Sequence, residues 1–249
     1  LKVMEARATE HIQEAINFET VVVCTRRSET TIEPLFEELA ERVDVSRPLS
    51  EQPSPYAKAL HVPLESLLEV HQAVSHAFAK LSSNDTVLKR GCPGYPERAV
   101  DDPYAPRFLY ARGEVGLLDS STVAVIGTRN PSGEAKRNAH QATLALLEAG
   151  YSVCSGLALG TDGVAHLACL AAGKPTIAVI GTSLLESYPA QHAALQAKIA
   201  ETGLVITRFS PAATTQKWFF LLRNRLMSSL SVASLVVEDR DGGGAVHQA

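Results

Sequence analysis

From Thr122 onward, short apolar runs alternate with longer segments of helical spacing, and this alternation restricts the fold more than anything else in the chain. Val123-Ala124-Val125-Ile126, Tyr151 to Ser155, Thr176 to Ile180, Leu204 to Thr207 and Ser234 to Glu238 read as strands. Ala135 to Ala149, Asp162 to Ala172, Gln191 to Thr202 and Phe219 to Leu230 read as helices. Strands this apolar need cover on both faces, and helices between successive strands supply it. The expected fold is α/β, a Rossmann-like, doubly wound and mainly parallel sheet. Gly150, Gly173 and Gly203 follow the helices, where left-handed caps are expected.

The earlier part of the chain is less regular. Residues 1–84 are expected to form a mostly helical accessory region. Within it Thr20 to Thr25 reads as a short buried strand. Ile32 to Val43 and Leu64 to Leu81 have the spacing of helix faces, and Ser46 to Pro55 reads as a loop. Residues 85–119 read as a Pro/Gly-rich connector with short strands at Thr86 to Lys89 and Arg107 to Ala111, stiffened by Pro93, Pro96, Pro103 and Pro106. Residues 120–249 are then the Rossmann-like phosphate-binding domain.

Composition bounds the rest. Hydrophobic residues make up 45% of the 249, enough for a core and against wholesale disorder. No apolar run approaches bilayer length, and Leu1 opens no charged and apolar leader, so neither a membrane span nor a secretory signal is expected. A first residue other than Met is expected of a trimmed or processed chain. Cys24, Cys92, Cys154 and Cys169 form no C-x-x-C pair or zinc-finger pattern. They read as reduced thiols of a cytoplasmic protein, with Cys154 and Cys169 as small core residues. No metal and no cofactor are expected. The net charge of −4 does not advertise a nucleic-acid binder. It is uneven, however: residues 1–106 hold 11 Lys and Arg against 17 Asp and Glu, whereas residues 107–249 hold 12 against 10. A local basic groove in the second part is compatible with an acidic whole.

In a doubly wound sheet, ligands sit beyond the carboxyl ends of the strands, where helix N-termini also favour anions. The first such loop is Gly127-Thr128-Arg129-Asn130-Pro131-Ser132-Gly133. Gly127 permits a tight turn, Thr128 and Ser132 offer hydroxyls, and Arg129 can fork onto a phosphate. The loop is neither G-x-G-x-x-G nor Walker A, and it fits phosphate binding and a plain strand-to-helix turn alike. The second loop runs from Ser155 and Gly156 to Gly160, Thr161 and Asp162, with His166 beyond. Asp162 stands where a helix N-cap is expected, and His166 is read as a structural partner of the loop. Arg223-Asn224-Arg225 places two cations on an apolar helix, and Trp218, Phe219 and Phe220 upstream offer both base stacking and core packing. Glu238, followed by Asp239-Arg240-Asp241-Gly242-Gly243-Gly244, reads as a strand end opening into a ligand-facing loop or a tail.

The order of these pieces resembles the DNA-processing protein A (DprA) family, also called Smf. The residues that carry the resemblance include Gly94-Tyr95-Pro96-Glu97-Arg98, Leu109-Tyr110-Ala111-Arg112-Gly113 and Ala124-Val125-Ile126-Gly127-Thr128-Arg129. Ser155-Gly156-Leu157-Ala158, Ala165-His166, Thr176 to Thr182, Tyr188-Pro189, Arg223-Asn224-Arg225 and Val236-Val237-Glu238 continue it. It covers roughly residues 86 to 249, and the ordered set is far more specific than any single motif. It implies an extended Rossmann-like domain that dimerises, binds single-stranded DNA and helps load a RecA-type recombinase during uptake of transforming DNA. No catalytic residue and no enzyme activity follow from it. By position, Arg129, Ser155, Gly156, Gly160, Lys174, Arg223 and Arg225 are the expected contributors to a phosphate-binding groove.

The chain departs from the family pattern at Leu159, where Arg is usual, and at Thr161, where Ile is usual. Thr207-Arg208 replaces Ser-Glu, and Gly243-Gly244-Ala245 replaces Ser-Gly-Ser. Leu159 removes a phosphate contact, and Arg208 is placed to restore one nearby. The chain also reads as stopping before the family's final core strands and winged-helix extension, and residues 1–84 do not resemble its helix-hairpin-helix type domain. Two other functions fit the residues. One is a nucleotide-binding sensor or nucleotide-processing enzyme, although the P-G-G-x-G-T-x-x-E signature of phosphoribohydrolases is absent. The other is a divergent member acting in defence against foreign DNA.

Overall fold

The structure is a computed structural model that describes residues 11–239. The expected loop from Arg240 through Gly244 and the Gly243-Gly244-Ala245 departure lie outside the described residues. The chain forms a seven-stranded sheet in the order β1-β2-β6-β5-β4-β3-β7. These strands are β1 (Asp85–Lys89), β2 (Phe108–Gly113), β3 (Thr122–Ile126), β4 (Ser152–Ser155), β5 (Thr176–Val179), β6 (Leu204–Thr207) and β7 (Ala233–Val236). The last five run parallel to one another, in agreement with the expected class. The antiparallel pair β1–β2 joins them through β2–β6. The Pro-rich stretch therefore does not stand apart as a connector: its two strands are one edge of the main sheet.

Helices α6 (Gly133–Glu148), α7 (Thr161–Ala171), α8 (Ala193–Thr202) and α9 (Phe219–Leu230) make the crossovers between the parallel strands. Strand period sorts the core into two layers. Leu109 and Ala111 share a cluster with Ala124, Ile126 and the α9 residues Leu226, Met227 and Leu230. Phe108 and Tyr110, one residue out of phase, face the other way. Val125 and Val153 likewise face Ala165 and Cys169 of α7.

The first residues fold as α1 (Ile12–Thr25), α2 (Glu29–Ala40), α3 (Pro53–Leu60) and α4 (Leu64–Phe78), with a short α5 (Glu97–Val100) between β1 and β2. Thr20 to Thr25 is thus the last turns of a helix rather than a strand. The run Thr20-Val21-Val22-Val23 has strand propensity, but α1 is enclosed, with every residue from Glu14 to Val21 buried, and packing overrides propensity. The polar members of that run are satisfied. Asn17 spans the carbonyls of Val45 and Arg47 and accepts from Leu49 N, and Glu14 holds both Arg107 and Lys89. Part of the expected Ser46–Pro55 loop is also helical, because Pro53 starts α3, where its missing N–H costs nothing.

These helices share one core with the sheet. Phe18 meets Phe36 at 5.1 Å and Phe108 at 5.7 Å between ring centroids. Buried Arg107 lies over the rings of Phe18, Phe36 and Phe108 and pairs with Glu14, Glu33 and Glu37.

Gly150 and Gly173 adopt the expected left-handed conformation at φ +85° and +66°. Gly203 does not, at φ −149°. It is required for another reason, since a Cβ there would strike the backbone oxygen of Thr176 on the neighbouring strand. Among the described residues, no helix is long and apolar enough to cross a membrane. Cys154 and Cys169 are buried and all four cysteines are free thiols.

Candidate functional site

Strand β3 sits between β4 and β7, and the path from β3 goes to β4 on one side while β6 returns through α9 to β7 on the other. The strand order reverses there, and the crevice beyond the carboxyl ends of β3 and β7 is where such sheets hold ligands. Three loops meet at this place, one after each of β3, β4 and β7.

Close backbone approach explains their glycines. A Cβ on Gly127 would lie 2.6 Å from Thr161 Oγ1 and 2.9 Å from the Glu238 oxygen, and one on Gly160 would lie 2.6 Å from the Arg129 oxygen. Gly160 also has φ +84°, which side chains resist. Pressed together, the loops bond to one another. Thr128 N donates to Glu238 O at 2.7 Å, while the N–H and hydroxyl of Thr161 both donate to Thr128 O at 3.2 Å.

The expected anion site at the start of α6 is filled from within. Ser132 caps the helix by accepting from Ala135 N, and its own N–H donates to Glu238 Oε2 at 2.9 Å. A carboxylate beside a helix N-terminus is favourable, so Glu238 stands where a ligand's phosphate was expected.

In the second loop Ser155, an expected contributor to the phosphate groove, is engaged within the protein, as are Asp162 and His166. Ser155 is fully buried and donates to Val125 O at 2.6 Å. Gly160, not Asp162, is the N-cap of α7, and Asp162 lies inside the first turn. The Asp162 carboxylate accepts from Ala158 N at 3.2 Å. Burial raises its pKa, against the pull of Arg223. His166 is buried, with Nδ1 2.9 Å from Thr176 Oγ1. Burial depresses its pKa to about 3, so the ring is neutral at physiological pH.

Arg223 is the largest departure from expectation. It is 6% exposed, and Nη1 donates to the carbonyl oxygens of Gly156 and, at 3.3 Å, Val179. The same atom lies 3.9 Å from Asp162 Oδ2. Gly156 is glycine because a Cβ would occupy the space of that guanidinium. Arg223 therefore ties the ends of β4 and β5 together from α9, and burial lowers its pKa, with Arg129 adding repulsion. Arg225 points elsewhere, 3.3 Å over the Tyr104 ring and 3.6 Å from Asp102. Asn224 between them is partly buried.

Two cations are not at the crevice at all. Lys174 precedes β5, so it lies at the amino ends of the parallel strands, opposite the loops. Arg208, expected to restore a phosphate contact, is 7% exposed and donates to Glu29 Oε2 at 2.7 Å and to Tyr104 O at 3.2 Å.

Arg129 remains. It is exposed and makes no ion pair or side-chain hydrogen bond among the described residues. With Gly156, Ala158, Leu159, Tyr188, Pro189, Phe220 and Arg223 it lines a pocket of about 50 Å³. Sequence reasoning named Arg129, Gly156 and Arg223 for the site. Tyr188 and Phe220 come from distant segments, and only the motif Tyr188-Pro189 and the aromatic run before Arg223 signalled them. A far larger hollow, about 1440 Å³, follows the β1–β2 edge and α8, with Arg112, Glu114, Glu201 and Gln196 among its walls. Its charges are mixed, and no residue of the loops after β3, β4 and β7 lines it. No group of three or more His, Cys, Asp or Glu among the described residues is arranged to hold a metal ion.

The chain has relatives among known proteins. Residues 86–249 match the family model described as DNA recombination-mediator protein A. The chain is 34% identical over 183 residues to the Smf protein of Synechocystis, covering 72% of this chain and 44% of that one. It is 32% identical over 150 residues to the DNA processing protein DprA of Bacillus subtilis, covering 60% of this chain and 50% of that one. The chain thus spans about half the length of the curated relatives it matches.

The structure of DNA processing protein A from Streptococcus pneumoniae aligns with a TM-score of 0.68 and 25% identity, over 99% of this chain and 80% of that one. The N-terminal helices, which the sequence did not connect with the family, fall within that alignment. DNA processing protein A from Helicobacter pylori, solved to show a single-stranded DNA binding mode, aligns with a TM-score of 0.57 and 30% identity over 66% of this chain and 74% of that one. The chain belongs to the DNA recombination-mediator protein A family.

Proposed function

We propose that this chain binds single-stranded DNA across the crevice lined by the loops after β3, β4 and β5 and by the start of α9, as a non-catalytic DNA-processing protein. The observation that carries this reading is Arg129, an exposed guanidinium with no partner among the described residues at the switch in strand order, beside an aromatic wall. A guanidinium so placed suits one phosphate oxygen pair. The pocket of about 50 Å³ is well below the several hundred Å³ that enclosed small-molecule sites need, which favours a strand lying across the surface over a free nucleotide. The names of the relatives, DNA processing protein and DNA recombination-mediator protein, point the same way. Asp162 accepts from Ala158 N of the second loop and His166 is buried against the Thr176 hydroxyl of β5, so both titratable groups are engaged within the protein, which supports binding rather than catalysis.

On this reading the bound strand is protected and passed to a RecA-type recombinase in the cytoplasm, with the protein acting as a homodimer. The test is a titration of a fluorescent oligothymidine and of a duplex of equal length at several salt concentrations. Preference for the single strand, with affinity falling by a log–log slope of about −0.7 per phosphate neutralised, is the expected result. Equal affinity for duplex, or no binding at low salt, sinks the reading.

A further inference from the structure

Beside Arg129 the crevice is apolar, and its apolar side chains are open to solvent. The Phe220 ring is wedged under Gly181, where a Cβ would come within 2.6 Å of it. Its centroid is 5.2 Å from that of Tyr188, with the rings inclined at 48°. Phe220 is thereby fixed, while Tyr188 rests against it and remains 51% exposed. Leu159 lines the same pocket and is 39% exposed. Trp218 and Leu221, on either side of Phe219 and Phe220 at the start of α9, are exposed as well. Large apolar side chains left open beside an unpaired cation mark a binding surface rather than a core. A ligand that matches both is planar, apolar and attached to an anion.

We infer that Tyr188, backed by Phe220, is a stacking surface for one base of the strand whose phosphate meets Arg129. The inference rests on the functional reading above. The pocket between Leu159 and Phe220 is too small to swallow a base, so the base lies on the exposed face of Tyr188 with only an edge entering. In duplex DNA the base faces are covered by their neighbours. The stacking surface therefore contributes to discrimination for single strands, which a phosphate contact alone does not provide.

The experiment compares an oligothymidine with an abasic phosphodiester strand of the same length and with thymidine monophosphate. The proteins are wild type, Tyr188→Ala, Tyr188→Trp and Arg129→Ala. Wild type is expected to prefer the thymidine strand. Tyr188→Ala should bind that strand roughly 5- to 100-fold more weakly while its abasic affinity and salt slope stay unchanged, and Tyr188→Trp should restore the preference. Arg129→Ala should weaken both strands.

If Tyr188→Ala binds the thymidine strand as wild type does, or weakens both strands equally, stacking on Tyr188 is wrong although strand binding stands. Binding of thymidine monophosphate as tight as that of the strand overturns it in favour of a free nucleotide. Failure of wild type to bind either strand removes the functional reading itself.

Discussion

Nη2 of Arg208, at the end of β6, donates to Oε2 of Glu29 in α2 across 2.7 Å. Nη1 of the same guanidinium donates to the carbonyl oxygen of Tyr104, whose ring carries Arg225. A cation that stands at the ligand edge in sequence is thereby turned toward the N-terminal helices. It joins three segments far apart in the chain, namely α2, the stretch before β2 and the end of β6. Removing either partner leaves a buried or half-buried charge. A double-mutant cycle of Arg208→Ala and Glu29→Ala should give a coupling of about 0.5–3 kcal/mol in urea denaturation. The single variants should also speed proteolysis within α2. A coupling near zero would show that the N-terminal helices are held by apolar packing alone.

Arg129 and Lys174 should behave oppositely. Arg129→Ala should weaken binding of a single-stranded oligonucleotide roughly tenfold and reduce the salt slope by about 0.7, the loss of one neutralised phosphate. Lys174→Ala, at the other end of the sheet, should leave both unchanged. Fluorescence anisotropy at three or more salt concentrations separates them.

Arg223→Ala should act on stability first. The side chain is buried against the Gly156 and Val179 carbonyls and beside Asp162. Truncating it strands buried acceptors and a buried carboxyl, a loss on the order of 3–5 kcal/mol. The denaturation midpoint should fall accordingly, and Arg223→Lys should recover only part, since an ammonium does not span both carbonyls. An unaltered midpoint with lost DNA affinity would return Arg223 to the list of phosphate ligands.

Two buried groups give stability a pH dependence of opposite sign. Burial raises the Glu19 pKa from 4.5 to about 7, with a hydrogen bond to Ser210 opposing and Glu29 adding to the rise. The folded state thus holds a proton that the unfolded chain releases. This contribution is present below pH 4.5 and is lost as pH rises through 7. Burial lowers the His166 pKa from 6.5 to about 3, and that contribution is present above pH 6.5 and lost as pH falls toward 3. Glu19→Gln should therefore gain stability relative to wild type between pH 5 and pH 8, by about 3 kcal/mol at most. Urea midpoints of the two proteins across that range check it, and parallel curves would contradict it.

Much of the fold is legible from residue pattern. The buried parallel strands β3 to β6 fall within a residue of their apolar runs, because a strand covered on both faces has few polar positions to confuse the period. The N-terminal helix α1 was not legible as a helix, since its buried face carries Glu14, Asn17 and Glu19. Those residues pass for solvent-facing until Arg107, Lys89, Val45 and Ser210 are brought to meet them. The site was legible by place and in part by residue. Gly127, Gly156 and Gly160 sit where their spacing put them, while Ser155 and Arg223 are buried and bonded within the protein.

The sequence by itself determined that the chain is a doubly wound α/β protein with its loops converging at one edge. Hydrophobic period and glycine punctuation are local properties, and they suffice for that. Which polar residues remain open to a ligand was decided only by the tertiary structure. A guanidinium reaches several ångströms, so its partner is chosen by whatever packs within that reach. Arg223 found carbonyls, Arg225 a ring, Arg208 a carboxylate and Ser132 the carboxylate of Glu238. Arg129 found no such partner among the described residues, and it stands at the crevice with Tyr188 and Phe220 beside it.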